Sequence, residues 1–380
     1  MSAEAPRVSL RDVLAHWGRI GVIGFGGPPA HISLLRRLCV EDKRWISARE
    51  FEDSIAACNL LPGPASTQLA IHSAYRVGGI PAAIVGGLAF IIPGFCAIVA
   101  LAALFLAKSP PDVVLALGAG AGSAVAAVAV GAGFSLARPG WSNSQTRWRW
   151  SVFLGLGGVA AATTGPYVVV ILLVCGFVEV AWMRSAHLSP NFAAFALTSA
   201  VGVGGMSALS WLAFKVGALS YGGGFVIIPL IQNDAVAVNG WMTDGQFLNA
   251  VALGQVTPGP VVLTVAVVGF AASGIGGAAL ASVVAFGPSF LFVMLGGRHF
   301  DAIRSNPTMR AFLGGAGPAA IGAILGSAIP LAVALEHVWQ FVVLGLATMW
   351  VVVLRRGVVV VLLGSALVGV GVLVFGGPIT

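Results

Sequence analysis

Two stretches without a charged side chain, Pro81 to Ala107 and Gly357 to Thr380, constrain this chain most. Each exceeds the roughly 20 apolar residues that a helix needs to cross a bilayer. In hydrocarbon the backbone N–H and C=O groups must pair within the chain, so such stretches fold as helices packed on other helices. The rest of the 380 residues agrees: 58% are hydrophobic and 9% charged, against about 25% charged in a soluble domain. Mean hydropathy is +0.97. The 52 glycines and 20 prolines include many within apolar segments, where they let helices approach closely or break. The expected class is an all-α polytopic membrane protein.

The net charge of +7 does not point to nucleic acid. The basic residues lie in short connections between apolar segments, which is how cytoplasmic loops are marked. Cys39, Cys58, Cys96 and Cys175 form no CxxC and read as small core residues, not as disulfides or metal ligands. Met1 to Leu10 is polar and leads into no short apolar region with a cleavage site, so no cleavable signal peptide is expected.

An internal repeat organises the chain. Phe25-Gly26-Gly27-Pro28 corresponds to Tyr221-Gly222-Gly223-Gly224, Trp45 to Trp241, Phe51 to Phe247, and Pro62-Gly63-Pro64 to Pro258-Gly259-Pro260, each pair 196 residues apart. The register holds without a gap to Leu117-Gly118 and Leu313-Gly314. Residues 1–188 and 189–380 are the expected halves.

Equivalent loops carry opposite charge patterns. Arg36, Arg37, Lys43, Arg44 and Arg49 face a counterpart, Gln232 to Gln246, with no Lys or Arg. The next comparison reverses, Lys108 against Arg298, Arg304 and Arg310. Arg138, Arg147 and Arg149 then oppose Glu336 and His337, and uncharged Thr163 to Pro166 opposes Arg355 and Arg356. Basic loops stay cytoplasmic, so four alternations imply two inverted repeats, an architecture of secondary transporters. The N-terminus is expected inside and the C-terminus outside.

The same parity keeps residues 12–35 from crossing: they dip in and return near Gly26-Gly27-Pro28-Pro29. A helix from Ser47 to Leu60, opened by the capping box Ser47-x-x-Glu50, would be about 21 Å long. That falls short of the ~30 Å hydrocarbon core. Each half therefore opens with two re-entrant (broken) helical hairpins followed by transmembrane helices. Spans are expected at 81–107, 112–137, 150–163, 166–183, 191–208, 278–297, 311–333, 339–353 and 358–376. The alternative is that the hairpins are full spans, which would put the Arg36–Arg49 cluster outside.

Breaks at membrane depth expose N–H groups at half-helix N-termini, and these attract anions. Gly26, Gly27, Gly222 and Gly223 make one pair of breaks; Pro62, Gly63, Pro64, Pro258, Gly259 and Pro260 make the other. Ser66, Thr67, Gln68, Thr257 and Thr264 stand beside the proline breaks and can donate hydrogen bonds. Asn59 and Gln255 precede them at matched positions. The competing reading makes Pro-Gly-Pro a tight turn only. Arg19 and Lys215 are matched cations in apolar surroundings, where a charge is functional by default unless it snorkels to the interface. His31 and His72 read as packed residues before proton carriers, and Glu179 as the partner of Arg184 or another base.

Together, Phe25-Gly26-Gly27-Pro28, Trp45, Phe51, Asn59-Leu60-Leu61-Pro62-Gly63-Pro64 and Gln68-Leu69-Ala70 resemble the chromate ion transporter family, in its long two-domain form. Gly254-Gln255-Val256-Thr257-Pro258-Gly259-Pro260 and Tyr221-Gly222-Gly223-Gly224 are similar to its second-half motifs. The resemblance covers nearly all of the chain. It implies export of chromate from the bacterial cytoplasm across the inner membrane, driven by the membrane potential or proton gradient; no cofactor or metal is expected. The implied partners are chromate or a sulfate-like oxyanion and the lipid bilayer, with a homodimer compatible and nucleic acid not. Sulfate or another oxyanion is the alternative substrate, and a lipid scramblase a more distant one. No HExxH, GxSxG or acidic cluster suggests an enzyme.

Overall fold

The chain divides at some of the points where glycine and proline interrupt an apolar run, whereas Pro93, Pro288, Pro318 and Pro330 lie inside helices. The computed structural model describes residues 8–58, 63–142, 144, 146–163, 168–183, 205–220, 227–296 and 306–379. Among these the ordered elements are helices and no strand occurs. Ser9 caps α1 (Leu10–Ile23) by accepting from Asp12 N at 3.1 Å. At Gly26 and Gly27 the backbone takes positive φ, +98° and +72°. Pro28 and Pro29 then open α2 (Pro28–Arg36), where a missing N–H costs nothing. The expected break is therefore present. A π-helical turn, Arg37–Asp42, leads to α3 (Ala48–Cys58). Its capping box is formed: Glu50 N donates to Ser47 Oγ at 3.2 Å and Ser47 N to Glu50 Oε2 at 3.3 Å.

Next come α4 (Ala65–Phe105), α5 (Asp112–Ser123), α6 (Val125–Ser142), α7 (Arg147–Thr163) and α8 (Val168–Met183). The second half repeats the order with α9 (Met206–Leu219), α10 (Ile228–Gln232), α11 (Asp244–Val256) and α12 (Thr264–Gly296). It ends with α13 (Pro307–Val333), α14 (Val338–Thr348) and α15 (Val358–Val374). A capping box of Thr243 and Gln246 opens α11.

Neither α4 nor α12 is straight. A Cβ on Gly86 would lie 2.6 Å from that of Ala74, although twelve residues span about 18 Å along a continuous helix. The chain doubles back at Gly79, whose φ is +71°. In α12 it doubles back at Ser273 and Gly274, and Gly269 meets Gly277 backbone to backbone. The first arms, residues 65–78 and 264–273, are roughly 21 and 15 Å long, and the second arms, 80–105 and 275–296, roughly 39 and 33 Å. Only the second arms match the ~30 Å hydrocarbon core.

Four segments are long and apolar enough to cross a membrane: Ala65–Phe105, Asp112–Ser142, Val261–Gly296 and Pro307–Val333. Val168–Met183, Val338–Val353 and Val358–Val374 are shorter apolar helices at expected spans. Most of the expected span at 191–208 lies outside the described residues. Large apolar side chains such as Val283, Leu295, Val333, Leu367 and Val374 are exposed, a surface that lipid suits and water does not.

Glycines set the packing. Gly21 of α1 approaches the carbonyls of Ala89 and Phe90, and Gly217 of α9 approaches Ala285, again with a spacing of 196 between equivalents. The later helices exchange partners between halves. α13 packs on α7 and α8, α5 on α15, and α6 on α14.

Candidate functional site

The two Pro-Gly-Pro breaks dock on opposite halves. Gly63 N donates to Ser220 O at 3.0 Å, and Gly259 N donates to Gly24 O at 3.0 Å. Gly63 and Gly259 are equivalents, and so are Gly24 and Ser220. Each break is thus held by the carbonyl that precedes the other half's glycine motif.

Around Gly63 the surroundings are polar. Pro64 and residues 65–70 are buried. Thr67 N and Gln68 N donate back to Pro64 O at 2.9 and 3.0 Å, so Ala65 and Ser66 lie ahead of the helical ladder of α4. A Cβ on Gly63 would lie 2.5 Å from Gln68 Nε2 and 3.2 Å from Ser289 Oγ. The Gln68 amide and the Ser289 hydroxyl therefore both border this glycine. Thr67, Ser220 and Ser289 are each 0% exposed, and their hydroxyls have no hydrogen-bond partner among the described residues. Leaving such a group unpaired costs about 1–3 kcal/mol, so each of these hydroxyls calls for a ligand or water.

His31 braces this end of α4. Its Nε2 lies 2.9 Å from Gly24 O and its Nδ1 3.3 Å from Ser66 Oγ. A carbonyl only accepts, so Nε2 carries the proton and Nδ1 accepts from Ser66. The ring meets Phe90 edge-on at 5.0 Å. His72 is also buried, beside Tyr75. Both histidines are packed.

The second break differs. Thr257 donates to Leu253 O at 2.7 Å and Thr264 to Val261 O at 2.8 Å, so both hydroxyls are used within their own helical segment. The nearest atoms to a Cβ on Gly259 are Leu263 Cδ1, Gly94 Cα and Phe90 O, at 3.5–3.7 Å. Gln255 is buried, and its Nε2 lacks a partner among the described residues. Pro260 is buried and Pro258 partly so. No side-chain polar atom is among the nearest neighbours of Gly259, whereas Gln68 Nε2 and Ser289 Oγ are among those of Gly63.

The matched cations also part company. Arg19 is exposed on α1. Lys215 pairs with Asp234, their side chains 17% and 14% exposed, and lies over the Trp211 ring at 5.9 Å. Removing one partner of a shielded pair costs about 3 kcal/mol or more, because the other charge is left uncompensated. Lys215→Gln alone should lower the melting temperature in detergent, and Lys215→Gln with Asp234→Asn should recover most of it. Recovered stability with no recovery of flux would instead give Lys215 a direct part in transport. Among the other expected residues, Gly26 is exposed and Gly27 half-buried. Asn59, Pro62, Gly222 and Gly223 lie outside the described residues.

A cavity of about 930 Å³ reaches this region. Cys58, Gly63 and Ala65 line it, and so do Arg149, Glu179, Trp182 and Arg310. Arg149 Nη1 pairs with Glu179 at 3.2 Å, which supplies the base expected for Glu179; Arg184 lies outside the described residues. Sequence reasoning missed Ser220, Ser289, Arg149 and Arg310 as site residues. Ser220 was findable, since it is the equivalent of Gly24 at the edge of the motif. Ser289 was not, since its equivalent is Pro93 and only folding brings it to Gly63.

Residues 11–180 and 207–370 match the family described as Chromate transporter. The chromate transport protein of Pseudomonas aeruginosa is 33% identical over 394 aligned positions, covering 97% of this chain and 93% of that protein. That of Cupriavidus metallidurans is 31% identical over 342 residues, 86% of this chain and 84% of that protein. An uncharacterized transporter of Methanocaldococcus jannaschii is 24% identical over 336 residues, 80% of each. No solved structure matches.

Proposed function

The chain belongs to the chromate transporter family, and from that premise we propose that it exports chromate from the bacterial cytoplasm by alternating access between two inverted repeats, residues 1–188 and 189–380. The observation that carries this reading is the N-terminus of α4, which borders the cavity at Gly63 and Ala65 beside the unpartnered hydroxyls of Thr67, Ser220 and Ser289. A helix N-terminus offers N–H groups and partial positive charge to an anion. Hydroxyls add donors that adapt to a tetrahedral oxyanion. The anion site is then one site at the first break, with residues from both halves, and not two equivalent ones.

Three further features favour the inverted arrangement. The swapped bonds Gly63–Ser220 and Gly259–Gly24 are what two like surfaces make across a two-fold axis. The short first arms of α4 and α12 suit re-entrant segments. Arg149 and Arg310 come from non-equivalent loops that charge parity places on the cytoplasmic side, and both border one cavity. In this orientation the N-terminus is cytoplasmic and the C-terminus periplasmic. An inside-negative potential favours anion exit by about 2.3 kcal/mol per charge per 100 mV.

Inverted membrane vesicles provide the test. Labelled chromate should accumulate inside them when this chain is present, and unlabelled sulfate should compete less well than unlabelled chromate. No accumulation above vesicles lacking the chain, with the potential imposed, would reject the reading. Stronger competition by sulfate would reassign the substrate.

A further inference from the structure

Resting on the transport reading above, we propose that the arginine-lined part of the cavity is a second, outer anion site: Arg149 and Arg310 capture the oxyanion, and Glu179 is the internal anion it displaces. The site is built from both halves, with Arg149 at the start of α7, Glu179 on α8 and Arg310 in the first turn of α13. All three line the cavity that reaches Gly63 and Ala65. Glu179 is the single carboxylate among its described lining residues.

The two arginines are held differently. Arg149 donates through Nη1 to Glu179 at 3.2 Å and through Nη2 to Thr146 Oγ1 at 2.9 Å, and its guanidinium lies 5.3 Å from the Trp182 ring centroid. The Arg149 and Glu179 side chains are only 18% and 20% exposed, so this fork is pre-positioned and its charge already engaged. Arg310 is exposed and makes no ion pair among the described residues. An arriving dianion meets Arg310 first and then competes with Glu179 for the Arg149 fork. Planar guanidinium groups match oxyanions bidentately.

The carboxylate has a use in this scheme. Two arginines alone would hold a dianion tightly, and conduction needs binding strong enough to fill the site yet weak enough to empty it. Glu179 re-forms its pair with Arg149 as the anion leaves toward α4, and so speeds release.

Chromate uptake into inverted vesicles, which present the cytoplasmic face outward, reads this directly. Arg310→Gln should raise KM by about tenfold, the lower end of what one charge-assisted hydrogen bond contributes, and should lower maximal flux much less. Glu179→Gln should lower both KM and maximal flux, because the anion is held. In the wild-type protein KM should rise with ionic strength as the exposed charge is screened, and this slope should flatten in Arg310→Gln. An unchanged KM in Arg310→Gln overturns the proposal whatever Glu179→Gln does. A fall in maximal flux at constant KM would make Arg310 merely structural and overturns it too. If the wild-type vesicles carry no chromate at all, the transport reading fails, and not this site alone.

Discussion

Gly63→Ala is expected to reduce chromate flux more than tenfold in reconstituted vesicles while the protein still inserts and elutes as a single folded species. The cause is local. Gly63 has φ +121°, a conformation that a residue with a Cβ holds only at a cost of about 1–3 kcal/mol. The added methyl would also press on Gln68 Nε2 at 2.5 Å and Ser289 Oγ at 3.2 Å. Ser289 is among the groups proposed to receive the anion, so relief of the clash displaces it. Gly259→Ala is the internal comparison. It carries a similar backbone penalty at φ +95°, but its Cβ meets nothing closer than 3.5 Å. Flux in Gly259→Ala should fall less than in Gly63→Ala. Equal losses would point to backbone strain as the whole effect and remove the first break's special standing.

The largest stability effect should come from Gly322→Leu. A Cβ at Gly322 would overlap the carbonyl oxygen of Leu154, and four residues on, one at Gly326 would overlap that of Gly158. Here α13 and α7 touch backbone to backbone, and neither can yield as a flexible side chain would. In lipid such close approach supplies the van der Waals attraction that holds helices together, since the tails are as apolar as the side chains. Overpacking costs about 1–3 kcal/mol in an ordinary core, and separating two helices should exceed that. The measurement is the melting temperature and monodispersity in mild detergent. Gly345→Leu serves as the reference, because nothing lies within 4 Å of its Cβ. A Gly322→Leu protein as stable as Gly345→Leu would contradict the close contact of α7 and α13.

Much of this was legible in one dimension because membrane folding is governed by local rules. Charge-free runs name long apolar helices, a capping box names the start of α3, and the Gly26-Gly27 and Pro-Gly-Pro motifs name breaks. The offset of 196 residues relates Gly63 to Gly259 and Gly24 to Ser220, although their reciprocal bonding is a tertiary fact. The doubling back of α4 at Gly79 was written only in part. The expected span at 81–107 begins just beyond this glycine, while the uninterrupted apolar run gave no sign that the chain reverses there.

The cations show the boundary most clearly. Arg19 and Lys215 are equivalents, yet one lies exposed and the other is neutralised by Asp234, whose own equivalent is Leu38. A repeat predicts matched positions, not matched partners, because each copy packs against a different set of neighbours. The two Pro-Gly-Pro breaks diverged in the same way, through Gln68 against Thr264 and Ser289 against Pro93.

What the sequence determined by itself was the class of solvent, the helices and some of their breaks, since each depends on residues close together in the chain. Which break gathers unpaired hydroxyls, which arginines share a cavity and which helices trade partners between halves were decided only by tertiary structure. Those features join residues up to more than 200 positions apart, from Gly63 to Ser289 and from Arg149 to Arg310, and no local pattern encodes a distance between them.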